Sequence, residues 1–220
     1  MDTVLRNIFL SNMLLFFDFD GTIADSLSIA EEVIAELGAE FGLPPADKAQ
    51  LLEWKTKSIP DLLRLTGISW TQIPQIMIKA KAAFNEKIEF VPLFEGMKTL
   101  MESLHEKGHE LHILTSNSKQ NVQHILDKNV LTVFHAIHAP NVLFGKAKVI
   151  RSVMKKRKQT PENTWMIGDE IRDIQAAKEA GVKSVAVSWG FNHESLLVQA
   201  NPDFLVHTPE ALRLCFLDIC

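Results

Sequence analysis

The chain has 220 residues, 46% of them apolar and 23% charged, with a formal net charge of −4. That is enough chain to bury a full core, as one large domain or as a core carrying a smaller one. So mild an acidic balance argues against nucleic acid or an anionic membrane as partner, and no apolar run approaches the ~20 residues of a membrane span.

The first residues carry apolar side chains at Val4, Leu5, Ile8, Phe9 and Leu10, but Arg6, Asn7 and Asn12 interrupt them. This is not the layout of a secretory signal. Cys215 and Cys220 are too few for a disulfide framework and lack a metal-ligand spacing. The expectation is a cytoplasmic protein with reduced thiols.

Leu14-Leu15-Phe16-Phe17 is an unbroken apolar run and reads as a short strand buried on both faces of a parallel sheet. It ends in Asp18-Phe19-Asp20-Gly21-Thr22. At a strand end, side chains two residues apart point the same way, so the Asp18 and Asp20 carboxylates can face one site. Two carboxylates so close repel unless they share a proton or a cation lies between them. A hard dication with oxygen ligands, Mg²⁺ first, is the economical answer. Gly21 permits the sharp turn there.

Leu27 to Phe41 spaces its apolar residues as a helix does, with Ser26 or Ser28 as cap and Gly42, Pro44 and Pro45 as its end. Further helical patterns cover Asp47–Lys57, Ile59–Thr66 and Trp70–Phe90, with no β-rich run between Asp25 and Phe90. Plain βαβ alternation would not place a block of helices after the first strand. Residues 25–91 are therefore expected to form an α-helical cap, and residues 1–24 with 92–220 an α/β core.

The second half alternates as a doubly wound sheet does. Helices are expected at Gly96–Lys107, Lys119–Asp127, Lys146 to about Lys158, Ile171–Ala180 and Pro209–Leu217. Strands are expected at Glu110–Leu114, Val133–His138, Thr164–Ile167, Lys183–Ser188 and Asp203–Val206. His105, His109 and His112 are divided by Gly108 and are not read as a metal site, and Trp189-Gly190-Phe191-Asn192 reads as packing.

Ligands of an open parallel sheet gather outside the carboxyl ends of its strands. Four loops leave those ends with phosphate-friendly or reactive residues: Asp18 and Asp20, Ser116-Asn117, Lys146, and Asp169 with Asp173. Lys146 stands at a helix start, where the helix dipole disfavours a cation unless an anion lies beside it; Lys148 is its nearby competitor.

In this order the four loops resemble the motifs of the haloacid dehalogenase-like phosphohydrolases, and the cap position resembles the phosphoglycolate phosphatase-like branch. The resemblance covers Leu14 to Val206 and implies a three-layer, Rossmann-like doubly wound parallel sheet with a cap that closes to exclude water. It implies that Asp18 attacks phosphorus to form an aspartyl-phosphate, while Asp20 protonates the leaving alcohol and then deprotonates water. Its second motif points to Ser116 as the phosphate-binding hydroxyl, with Thr115 as alternative, and to Asn117 after it as a further phosphate-binding residue. Its third is a lysine holding nucleophile and phosphate, here Lys146. Its fourth is Gly168-Asp169 with Asp173 four residues on. Mg²⁺ would then be bound by Asp18, Asp20 (through its backbone carbonyl) and Asp169, with Asp173 and Glu170 orienting ligands from behind. The implied reaction is hydrolysis of a small phosphorylated metabolite. A phosphosugar mutase is the alternative within the superfamily. A phospho-accepting receiver module shares these residue types but is roughly half as long and lacks the insert.

Overall fold

The computed structural model describes residues 12–42, 50, 53–54, 56–57, 59–140 and 145–217. Most of the helical pattern at Asp47–Lys57 and the middle of the Pro140–Gly145 loop lie outside these. The chain divides into two compact units: residues up to Asp25 together with those from Leu93 onward, and Ser26–Pro92.

β1 (Leu14–Phe17) opens the first unit, and all four of its side chains are fully buried. The second unit holds α1 (Leu27–Glu40), α2 (Ile59–Thr66) and α3 (Ile73–Glu86), followed by a short 3₁₀ turn at Ile88–Phe90. Ser26 occupies the N-cap of α1, but only its backbone carbonyl serves there, accepting from Ala30 N–H at 3.0 Å. α3 is shorter than expected. It begins at Ile73, which puts Pro74 in the first turn, where a missing N–H costs nothing. Lys87 closes this unit's fold, pairing with Glu32 at 3.2 Å and Glu36 at 3.0 Å on α1.

The chain then returns to the first unit with α4 (Met97–Glu106), β2 (Glu110–Leu114), α5 (Lys119–Lys128), β3 (Ala136–His138), α6 (Lys146–Arg157) and β4 (Thr164–Gly168). α7 (Ile171–Ala180), β5 (Lys183–Val187), α8 (Glu194–Gln199), β6 (Phe204–Val206) and α9 (Pro209–Leu217) complete it. β3 is shorter than the expected Val133–His138 because its ladder with β2 holds only from His112↔Ala136 to Leu114↔His138. α8 was not anticipated.

The six strands form one parallel sheet in the order β3-β2-β1-β4-β5-β6, the architecture expected. β1 lies between β2 and β4, which explains its uniformly apolar sequence. The order reverses at β1, where β2 lies on one side and β4 on the other, and this opens a crevice at the carboxyl ends of these strands.

Packing on one face fixes the elements that carry the site. Leu14, Phe16 and Met166 of the sheet share a buried cluster with Ala147 and Ile150 of α6 and Ala176, Ala177 and Ala180 of α7. The small alanines let α6 and α7 lie close together, so the N-terminal turns of both helices stay at the carboxyl edge. Truncating Phe16 would cost about 3–5 kcal/mol and loosen both helices.

Candidate active site

The backbone ladder continues one residue past β1, with Asp18 N–H donating to Ile167 O at 2.8 Å. Beyond it the chain folds tightly: Ile23 and Ala24 N–H both donate to Phe19 O at 2.9 Å. Gly21 sits in this turn at φ 75°, and a Cβ there would collide with the Asp169 carboxylate and lie 2.6 Å from the Phe191 ring. Only glycine satisfies both conditions.

Asp18 is buried and held on both oxygens. Oδ1 accepts from the Phe19 backbone N–H at 2.8 Å, and Oδ2 pairs with Lys146 Nζ at 2.8 Å. Lys146 also meets Asp173 Oδ1 at 2.6 Å. Lys146 is 5% exposed, and a charge so buried requires its two partners. Burial works against the charged lysine, but Asp173 and Asp18 outweigh it and hold its pKa above the ordinary lysine range. A cation at the start of α6 is thus explained by the anions beside it.

The loop after β4 supplies the remaining acids. Asp169 is fully buried, with Oδ1 accepting from the Thr22 hydroxyl at 2.7 Å and Oδ2 from Phe191 N–H at 2.7 Å. Asp173 Oδ2 accepts from Glu170 N–H at 3.1 Å, which caps α7. Burial pushes the Asp169 carboxyl well above the usual carboxylate range, and Asp18, Glu170 and Asp173 push the same way. Burial likewise pushes Asp173 up to about 7 although Lys146 opposes it, and raises Glu170 against the pull of Arg172.

This charge distribution bears on a metal. One oxygen each from Asp18, Glu170 and Asp173 lies within 4.8 Å of the others. Together with Asp169 they crowd four carboxylates around two cations, Lys146 and Arg172. A hard, oxygen-seeking dication fits both the donor set and the surplus negative charge. Glu170 and Asp173, expected behind the ion, converge with Asp18. Asp169, expected to hold the ion, lies beside them with an oxygen bonded to each of Thr22 and Phe191, as both Asp173 oxygens are bonded to Lys146 and Glu170. Asp20 is half-buried and directs Oδ2 to Asn117 Nδ2 at 2.9 Å.

Of the two candidate hydroxyls after β2, Thr115 is buried, and its Oγ1 accepts from Asn117 N–H at 3.0 Å. Ser116 is exposed, and its Oγ lies 3.4 Å from Arg172 Nη2. Ser118 caps α5, accepting from Asn121 N–H at 3.2 Å, which frees Ser116 from that duty.

Sequence reasoning missed two features. Arg172 forms an ion pair with Glu170 and faces the Ser116 hydroxyl, although its charge was masked by the acidic motif around it. Trp189 to Asn192, read as packing, supports the site directly. Trp189 Nε1 donates to Thr22 O at 3.1 Å, Phe191 N–H to Asp169, and Asn192 Oδ1 accepts from Ile171 N–H at 2.9 Å. A Cβ on Gly190 would collide with Asp169. A glycine just past a core strand was the available signal.

A doubly wound α/β protein with a buried acidic site at the crevice beside β1 is what the fold and these distances define. Residues 15–187 match the family model described as haloacid dehalogenase-like hydrolase, and the chain belongs to that family. A phosphoglycolate phosphatase from Synechococcus elongatus is 32% identical over 202 residues, covering 90% of this chain and 94% of that protein. Another, from Pseudomonas fluorescens, is 26% identical, covering 90% and 78%. A haloacid dehalogenase-like family hydrolase from Streptococcus pneumoniae superposes with a TM-score of 0.78 at 25% identity, covering 93% of this chain and 98% of that one. The chain is accordingly a phosphatase of the phosphoglycolate phosphatase-like kind. Among the described residues no helix is long and apolar enough to cross a membrane.

Proposed function

We propose that the protein hydrolyses a small phosphomonoester, of the phosphoglycolate or sugar phosphate class, through an aspartyl-phosphate formed on Asp18. The observation that carries this reading is the buried contact of Lys146 with both Asp18 and Asp173, at 2.8 and 2.6 Å. It sets a carboxylate nucleophile beside a cation able to receive a phosphoryl oxygen.

An Asp18 oxygen attacks phosphorus as the phosphorus–oxygen bond to the alcohol breaks. Asp20 gives its proton to the departing oxygen, then takes one from the water that cleaves the aspartyl-phosphate and regenerates Asp18. Ser116 and Lys146 hold the phosphoryl oxygens, with Arg172 adding charge beside Ser116. Mg²⁺ would be held by Asp18, the Asp20 backbone carbonyl and Asp169, with Glu170 and Asp173 beside them, and when bound it supplies charge stabilisation to the transferring phosphoryl group. The surplus of carboxylates and the similarity to named phosphatases support this reading.

The test is Asp18→Asn. Turnover of p-nitrophenyl phosphate should fall below detection while circular dichroism and thermal midpoint stay near wild type. A folded variant with full turnover would refute Asp18 as nucleophile. A panel of phosphorylated metabolites assayed with Mg²⁺ then ranks the substrates, and isomerised sugar phosphate without phosphate release would mark a mutase instead.

A further inference from the structure

The side-chain amide of Asn117 is held at both ends. Its Oδ1 accepts from the Ser118 backbone N–H at 2.7 Å and from Asn121 Nδ2 at 3.0 Å. A backbone N–H needs an acceptor, so the Ser118 contact decides which end of the amide is oxygen. The nitrogen end is thereby turned to Asp20, whose Oδ2 it meets at 2.9 Å. Asn121 lies in the first turn of α5, and its own backbone N–H is bonded to the Ser118 hydroxyl at 3.2 Å. The amide is braced against a regular helix.

Resting on the phosphomonoesterase reading above, we infer that Asn117 is a positioning residue for Asp20, locked by Ser118 and Asn121, and that its work is aiming the proton shuttle. The sequence pattern had suggested a phosphate ligand. A general acid acts only within hydrogen-bond reach of the leaving oxygen, and a carboxylate free to rotate occupies that pose for less of the time. One amide donor on Oδ2, fixed from behind, removes that freedom.

The two roles separate by leaving group. kcat/KM reports on steps up to the first irreversible one, here loss of the alcohol. p-Nitrophenolate departs without a proton, whereas an alkoxide needs one. Asn117→Ala should therefore lower kcat/KM for the best alkyl phosphomonoester of the panel by about 10–100-fold, part of what a general acid contributes. The loss with p-nitrophenyl phosphate should be at least several times smaller, and inhibition by inorganic phosphate should keep its constant. Asn121→Ala, further from Asp20 and gentler on the fold, should show the same selectivity at smaller size. Asp20→Asn is the reference and should show it most strongly. Equal losses on both esters, or phosphate inhibition weakened in step, would make Asn117 a phosphate ligand and overturn the proposal. If Asp20→Asn is selective and the asparagine variants are not, only this proposal falls. If Asp20→Asn shows no selectivity, the shuttle itself is wrong, and the proposal goes with it.

Discussion

Lys146 Nζ stands 2.8 Å from Asp18 Oδ2, a contact that joins the start of α6 to the end of β1 inside the protein. Asp173 completes the triad at 2.6 Å, bringing in α7 as well. Three elements distant in sequence thus meet on one ammonium group, and this contact ties the proposed catalysis to stability.

Lys146→Met tests that tie. Removing one partner of a buried ion pair leaves the others uncompensated, at about 3–5 kcal/mol. The urea midpoint should fall accordingly, and p-nitrophenyl phosphate turnover should fall by at least about 100-fold, consistent with loss of one electrostatic donor. A variant that keeps its stability would show that Asp18 and Asp173 do not depend on the ammonium.

Gly190→Ala should damage the site through Asp169. The added methyl would collide with that buried carboxylate, which also lies against Gly21. Overpacking of this kind costs about 1–3 kcal/mol. Lower Mg²⁺ affinity by calorimetry, together with a lower thermal midpoint, is the expected pair of results. Unchanged values for both would mean the loop shifts without moving Asp169.

Metal removal should silence the enzyme. EDTA is expected to abolish turnover and Mg²⁺ to restore it, and Mg²⁺ should also raise the thermal midpoint by binding only the folded state. That rise has a pH dependence of definite sign. Burial lifts Asp173 to about 7 and Asp169 above the carboxylate range, so protons compete with the ion for these carboxylates below neutral pH. The Mg²⁺-induced shift should therefore grow from pH 6 to pH 8. A shift independent of pH would place the ion away from these acids.

A separate pH effect arises at the β2–β3 edge. His112 Nδ1 lies 3.0 Å from His138 Nε2, and His112 Nε2 lies 2.7 Å from Glu110 Oε1. Burial lowers His112 although Glu110 opposes it, and burial with the charge of His112 pulls His138 down to about 4. The unfolded chain then binds more protons than the folded one between about pH 4 and 6.5, so stability falls as pH drops through that window. With saturating Mg²⁺, the urea midpoint at pH 5 should lie below that at pH 7, and His138→Gln should narrow the gap. An equal gap in the variant would assign the loss to other groups.

Much of this was legible before any coordinates. Leu14–Phe17 announced a central strand because a strand with neighbours on both sides has no polar face to advertise. Asp18 and Lys146 were legible because each breaks a local rule, an acid pair at a strand end or a cation at a helix start, that a shared site explains; Asp173, an acid where helices favour one, was legible only through the resemblance of its motif. Arg172, Gly190 and Phe191 were not, since one is an ordinary helix arginine and the others act through backbone geometry. Asn117 was placed in its loop by the sequence, and only the structure shows its amide nitrogen facing Asp20, because composition cannot say which way an amide turns.

The residue order by itself determined the alternation of strands and helices, the helical block after β1 and the acidic character of the site. These follow from local periodicity and from charges set at element ends. Only the tertiary structure decided which carboxylates converge, that Asp169 is held by Thr22 and Phe191, and that Asn117 faces Asp20. Those relations depend on where the carboxyl ends of β1, β2, β4 and β5 come to lie, and strand pairing sets that across the whole chain.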